Sequence, residues 1–331
     1  MPGYLMEVKD LKKHFPIHGG VLFRQIATVY AVDGVSFNVK PGETVGLVGE
    51  SGCGKSTLGK TILRLDDPTS GQVLFEGKDL AALKRRELRR VRKDIQIIFQ
   101  DPFESLNASH TVGHILQEPF IIHKIGEPGW RKEQAKKLLA KVGLSQAAMD
   151  RFPHEFSGGQ RQRIGIARAI ALEPKLIVCD EPVSALDVSI QSQILNLLLK
   201  LQREMRLTYL FIAHDLAVVK HVSDRIAVMY LGKIVEFTDA DAIYKKPLHP
   251  YTQALLSAIP VPDPTSDKSG RQVLEGDVPS PRTPPPGCNF HTRCPYAQKL
   301  CKAEVPALQD APSSSRGRHL VACHYAENLP K

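Results

Sequence analysis

The stretch ETVGLVGESGCGKSTLGKTILRL, Glu43 to Leu65, decides the architecture of this chain. Its opening, ETVGLVG, reads as a short buried strand, and STLGKTILRL from Ser56 onward carries helical periodicity. Between them GESGCGKST, comprising Gly49, Glu50, Ser51, Gly52, Cys53, Gly54, Lys55, Ser56 and Thr57, fits G-x-x-x-x-G-K-S. Its glycines let backbone N–H groups curl around phosphate oxygens with no side chain in the way. The helix starting near Ser56 aims its positive end at the same oxygens. Lys55 is placed to neutralise the β- and γ-phosphates, and Ser56 to ligate Mg2+. Strand, glycine loop and helix stand in the order a nucleotide phosphate site requires.

Outward from that stretch, KLIVCDE is a second buried strand. Asp180 at its end is a candidate Mg2+ ligand, and Glu181 a candidate base for an attacking water. TYLFIAH, Thr208 to His214, is a third strand, and RIAVMYLGKIVEF reads as a hairpin around Gly232. Residues 5 to 48 alternate apolar and polar positions, with turn signals at Gly19-Gly20, Asp33-Gly34 and Pro41-Gly42. Gln72–Phe75 and Ile95–Phe99 are further strand candidates. From Asp101 to about Ala171 the pattern is mostly helical, with breaks expected at Pro119, Pro128-Gly129 and Pro153, and Ile190 to Met205 reads as another helix. Alternating strands and helices indicate an α/β chain with a parallel core and a helical insertion in its middle.

The composition is that of an ordinary globular protein, with 42% hydrophobic and 24% charged residues. No apolar run approaches the ~18 residues of a membrane-spanning helix, and the N-terminus lacks the features of a secretory signal. A cytoplasmic chain is expected, with any membrane role exercised through partners. The formal charge of +9 is spread widely; its densest piece, KRRELRRVRK from Lys84 to Lys93, reads as an exposed helix. Without interleaved aromatics to stack bases, it does not indicate a nucleic-acid partner.

FSGGQRQR, Phe156 to Arg163, separates this chain from other phosphate-loop proteins. Ser157, Gly158, Gly159 and Gln160 open another anion-binding helix start, although the same residues also suit a plain N-cap. Placed shortly before the DE strand, this run resembles the signature of ABC ATPases. The resemblance covers roughly residues 5 to 250. It implies a P-loop ABC ATPase fold: a parallel-sheet core, an antiparallel β subdomain and an inserted helical subdomain, with ATP and Mg2+ as ligands. In that family the signature completes the ATP site of the opposite subunit, so a second ABC ATPase subunit, identical or different, is implied. Gln100 in IIFQDP resembles the Q-loop glutamine, also a Mg2+ contact; Asp187 in SALD resembles the D-loop; His214 resembles the switch histidine. Their plain readings are a strand end, an N-cap and a polar core residue. Phe15 best matches the aromatic that stacks on adenine, with Tyr30 as the alternative.

A narrower resemblance starts at KKPLHPYTQALLSAIP, Lys245 to Pro260, and runs to VACH at Val321 to His324. It points to ATPase subunits of dipeptide and oligopeptide importers, the alternative being importers of nickel or another small solute. It implies two integral membrane permease subunits, contacted through the surface at about Gln100 to Ile115, and an external peptide-binding protein that with them selects the cargo. The expected location is peripheral, on the cytoplasmic face of the membrane. Ribosome- or DNA-directed ABC ATPases are disfavoured, since there is one phosphate loop and no long coiled-coil insertion. The domains read as 1–255, nucleotide-binding, with the helical subdomain at about 101–171; 256–287, a Pro-rich linker; and 288–331, a cysteine-rich extension.

Of the six cysteines, Cys53 and Cys179 are isolated and read as a tolerated small side chain and a core packer. Cys288, Cys294, Cys301 and Cys323 form C-x5-C-x6-C-x21-C. A reducing compartment disfavours disulfides, so four thiols in one segment call for a metal. Tight C-x2-C turns typical of structural zinc are absent, which favours an iron–sulfur cluster of the 4Fe-4S type, with Zn2+ as the alternative. A structural role, stabilising a tail with little core of its own, ranks ahead of redox sensing. His291, His319 and His324 read as surface residues rather than ligands.

Overall fold

The computed structural model describes residues 3–19, 24–259, 274, 276–311 and 318–329; residues 260–273 and 275 of the Pro-rich linker lie outside them. The first strands are β1 Met6–Gly19, β2 Arg24–Val39, β3 Thr44–Val48, β4 Ser70–Phe75, β5 Lys78–Asp79 and β6 Ile95–Ile98. They are followed by β7 Leu176–Asp180, β8 Thr208–Ala213, β9 Arg225–Tyr230, β10 Lys233–Asp239, β11 Gln309–Asp310 and β12 Leu320–Val321. The helices run from α1 Lys55–Ile62 through α2 Arg85–Val91, α3 Pro102–Ser105, α4 Val112–Ile122, α5 Pro128–Lys141 and α6 Gly158–Ala169. After these come α7 Val188–Met205, α8 Leu216–Val222, α9 Ala240–Lys245, α10 Pro250–Ser257 and α11 Lys299–Ala303. None of the described helices is long and apolar enough to cross a membrane. The elements fall into two compact units, one drawn from 1–39, 44–81 and 213–331, the other from 40–43 and 82–212.

In the first unit β2, β1, β4 and β5 form an antiparallel sheet in that order. The Asp33-Gly34 turn expected from sequence is not a turn. The chain runs through it as β2, and the register steps from Leu11↔Val35 to Lys12↔Asp33, leaving Gly34 as a bulge at φ 82°. A glycine there accepts the left-handed conformation that a bulge demands, which a turn signal alone does not distinguish. A second sheet orders β11, β12, β10, β9 and β3. β3 is buried throughout and parallel to β9, as its uninterrupted apolar run requires. β9 and β10 form the expected hairpin: Tyr230 pairs with Lys233, and Leu231 and Gly232 both have positive φ, the geometry of a tight two-residue turn.

The C-terminal segment joins this second sheet. β12 pairs antiparallel with β10 through Glu236↔Val321 and Phe237↔Leu320. Beside that seam the fully buried Glu236 carboxylate accepts from the N–H groups of Leu248 (2.8 Å) and His249 (3.0 Å). His319 meets the same carboxylate at 2.6 Å. His319 is therefore buried, not the surface residue expected from sequence, because a buried carboxylate needs every lone pair answered.

In the second unit β8, β7 and β6 are parallel and adjacent, with Ile98 opposite Cys179 and Asp180 opposite Ile212. Every residue of β7 and β8 is buried, Cys179 included. α7 buries Ile194, Leu197, Leu198 and Leu201, the i, i+3, i+4, i+7 stripe of a helix with one face on a core. α2, Arg85–Val91, buries only Leu88, half-buries Val91 and exposes the rest, the basic helix expected. The break expected at Pro119 does not occur; α4 continues through it to Ile122. Buried Phe120 packs edge-on against Trp130 of α5 at 5.3 Å between centroids. Such tertiary contact outweighs the lost backbone hydrogen bond.

Candidate functional site

In the first unit, β3 delivers the chain into the glycine loop. A Cβ on Gly49 would lie 2.2 Å from the Met229 carbonyl oxygen, and one on Gly54 would lie 1.9 Å from that of Ala31. With φ of 105° at Gly54, no other residue fits where the loop turns into α1. Lys55, buried at 4% exposure, donates to the carbonyls of Gly49 (2.8 Å) and Glu50 (3.0 Å). Cys53 is buried against Gly49, and burial raises its thiol pKa despite the nearby Lys55 charge. It is a packing side chain. Ser56 and Thr57 open α1, half-buried.

Phe15 sits on β1 opposite Val29, partly exposed, with the Lys13 ammonium over its ring at 4.7 Å. Tyr30 lies edge-on to the His14 ring, 4.7 Å between centroids. His214 is exposed immediately before Asp215, whose carboxylate accepts from the Ala217 N–H (2.7 Å) and caps α8.

In the second unit the parallel register brings two predicted residues together. Ile98 pairs with Cys179, so Gln100 and Glu181, each two residues further on, emerge at the same carboxyl edge. The Gln100 amide donates to a Glu181 carboxylate oxygen at 3.0 Å. Glu181 has φ 45°, left-handed for a non-glycine residue, and its N–H donates to the Ile212 carbonyl at 3.0 Å. Strain of this kind costs about 1–3 kcal/mol and gathers at working sites. Asp180, the preceding residue, is buried at the strand end.

Ser157 caps α6 with a reciprocal box: its hydroxyl accepts from the Gln160 N–H, and its own N–H donates to the Gln160 side chain at 3.1 Å. The helix start is thus rigid rather than a flexible turn. Gly158 and Gly159 keep that start slim; a Cβ on Gly159 would reach 2.6 Å from an Ile190 methyl. Arg161, inside the signature, is buried, donates to the Pro153 (2.7 Å) and His154 (3.1 Å) carbonyls, and lies over the Phe103 ring at 3.6 Å. Asp187 stands at the N-cap position of α7, yet its side chain makes no capping hydrogen bond, so the plain capping role does not account for it.

The four tail cysteines line one small cavity, together with His291, His324 and Tyr296. All are free thiols. Burial pushes the Cys294 and Cys323 thiols up to about 11 and raises that of Cys288 as well. One ring nitrogen each of His291 and His324 is committed to a backbone carbonyl, of Cys288 (2.9 Å) and Glu304 (3.0 Å) respectively. Among the described residues no three His, Cys, Asp or Glu side chains close on one point as the ligands of a single ion do. The thiols surround a space instead. That space is about 20 Å3, room for roughly one water, so a four-iron cube requires the thiols to swing outward.

Two groups to which the sequence assigned no role join the phosphate loop: Arg293 pairs with Glu50, and Tyr251 accepts from the Glu50 N–H. The only hint in the sequence was an arginine beside a cysteine.

Residues 32–184 match the ABC transporter family, and residues 235–301 match the oligopeptide/dipeptide transporter C-terminal region. The oligopeptide transport ATP-binding protein AppF of Bacillus subtilis is 56% identical over 97% of this chain and 97% of its own. OppF, the oligopeptide transport ATP-binding protein of Salmonella typhimurium, is 53% identical over 96% and 95%. Among solved structures, the ADP- and phosphate-bound dimeric ATP-binding cassette MJ0796 matches with a TM-score of 0.64 and 31% identity, over 71% of this chain and 98% of that one. With the phosphate loop, the DE strand and the signature in place, this chain belongs to the ATP-hydrolysing subunits of oligopeptide ABC importers.

Proposed function

We propose that this subunit binds ATP through Gly49–Thr57 and hydrolyses it with Glu181 as base, paired with a second ABC ATPase subunit that completes each site. The observation that carries this reading is the Gln100–Glu181 hydrogen bond at the carboxyl edge of β6 and β7. It holds the carboxylate in one orientation at the strand ends, as a base that takes a proton from water must be held. Lys55 and the α1 N-terminus neutralise the phosphates, and Ser56, Asp180 and Gln100 are the residues that would hold Mg2+, which shields the leaving phosphate charge. Ser157, Gly158, Gly159 and Gln160, with Asp187, present the rigid helix start that contacts the partner subunit's nucleotide. His214 answers the γ-phosphate, and Phe15 stacks on adenine. The domains follow as 1–255, 256–287 and 288–331. The pair works on the cytoplasmic face of the membrane, driving two permease subunits fed by an external peptide-binding protein.

The cargo is tested by uptake in a strain lacking this chain. Di- and oligopeptide uptake is expected to fall to background while nickel uptake persists; the reverse pattern would assign the subunit to metal import.

The same reading gives Cys288, Cys294, Cys301 and Cys323 an iron–sulfur cluster, probed as 4Fe-4S. It is supported by four thiols around one cavity. A cationic guest offsets the cost of buried thiolates, and a bound cluster would cross-link four positions of the tail. Anaerobic purification should yield brown protein containing iron and acid-labile sulfide, both lost in Cys294→Ser with Cys301→Ser. Colourless protein with stoichiometric zinc and no sulfide would end the assignment.

A further inference from the structure

The cysteine-bearing segment is tied directly to the phosphate loop of its own chain. Arg293, one residue before Cys294, donates from both terminal nitrogens to the Glu50 carboxylate, at 2.7 Å and 3.1 Å. Its side chain is 6% exposed, against 29% for Glu50. The Glu50 N–H donates to the Tyr251 hydroxyl at 2.9 Å. Fully buried Tyr251 packs its ring against Tyr230 (4.8 Å between centroids) and Phe290 (5.4 Å). Phe290, two residues after Cys288, is buried in the same aromatic group. Two side chains of distant origin, Arg293 and Tyr251, thus converge on one residue of the glycine loop.

Glu50 is an awkward residue for that loop. A carboxylate next to Gly49 stands within roughly a Debye length of a triphosphate, and like charges at that range repel. A bidentate guanidinium cancels the charge and fixes the direction in which the carboxylate points. We propose that Arg293 is a positioning residue of the ATP site, acting through Glu50 to hold the phosphate loop in shape and to mask its one acidic side chain. Resting on the reading of Gly49–Thr57 as the phosphate loop, the assignment gives the C-terminal segment a direct part in nucleotide affinity.

The test measures ATP affinity with a fluorescent ATP analogue, and steady-state kcat and KM, on the full chain. Arg293→Ala should raise both Kd and KM about tenfold, equivalent to ~1.4 kcal/mol, while kcat falls less than threefold. In a Glu50→Gln background, whatever the affinity of that background, adding Arg293→Ala should shift Kd less than twofold. A merely structural role for Arg293 would produce equal losses in both backgrounds, and that result overturns the proposal, as does an unchanged Kd in Arg293→Ala. Arg293→Lys serves where the alanine variant does not fold. It keeps the cation but not the fork and should show an intermediate KM, whereas wild-type affinity would overturn the requirement for a bidentate pair. Lys55→Ala separates the two levels. If it weakens ATP binding while Arg293→Ala does not, only the role of Arg293 fails; if Lys55→Ala binds normally, the phosphate-loop reading fails and the proposal with it.

Discussion

Glu181→Gln is expected to bind ATP and then fail to release it as products, with turnover reduced by about 10²–10⁴, the usual worth of a positioned general base. The substitution keeps the shape of the side chain and its place after buried Asp180 at the end of β7. The Gln100 amide, 3.0 Å from the carboxylate in the native chain, still finds a carbonyl oxygen on the new glutamine. Only the basic lone pair is gone. On the proposed cycle, in which the paired subunits close over ATP and part after hydrolysis, the variant should accumulate as closed dimers in ATP. Phosphate-release assays and size-exclusion chromatography with and without ATP measure both consequences. Near-normal turnover would remove Glu181 from the role of base and leave the strained φ of 45° at this residue without a catalytic reason.

Lys55→Ala should act earlier in the cycle. Its ammonium is the buried cation of the loop, held by two carbonyls at 2.8 Å and 3.0 Å. Hydrogen bonds to charged partners contribute about 1.5–3 kcal/mol each, so losing the contacts to phosphate should weaken ATP binding roughly a hundredfold. Hydrolysis should fall further, because the charge that builds on the phosphates in the transition state also loses its partner. Calorimetric titration of Mg-ATP into the folded variant checks it. An affinity within threefold of wild type would mean that the loop does not hold the phosphates.

Both variants fall on elements readable from the chain. The phosphate loop and the DE strand are local: fully buried parallel strands must be apolar over their whole length, and a loop that wraps phosphate must be glycine-rich. Those demands fall on neighbouring residues, so β3, β7, β8 and the Gly232 hairpin are recognisable as runs of sequence. The Gln100–Glu181 pair is half-legible, since each residue ends a readable strand while their contact depends on the register Ile98↔Cys179. The misread points share one cause. Gly34 signals a turn or a bulge equally well until β1 supplies its partners, and Pro119 breaks a helix unless contacts such as Phe120–Trp130 outweigh the lost bond.

The C-terminal segment marks the boundary most clearly. Its cysteine spacing announces a cluster of thiols, because side chains that share a guest must be brought together by a short chain. Nothing periodic announces that two-residue β12 pairs with β10, that His319 answers the buried charge of Glu236, or that Arg293 reaches Glu50. Sequence by itself determined the elements and the chemistry of the phosphate loop, since backbone conformation and burial pattern are set by near neighbours. Only tertiary structure decided which distant charges were paired, because a buried ion demands a partner of opposite sign without specifying where along the chain it must come from.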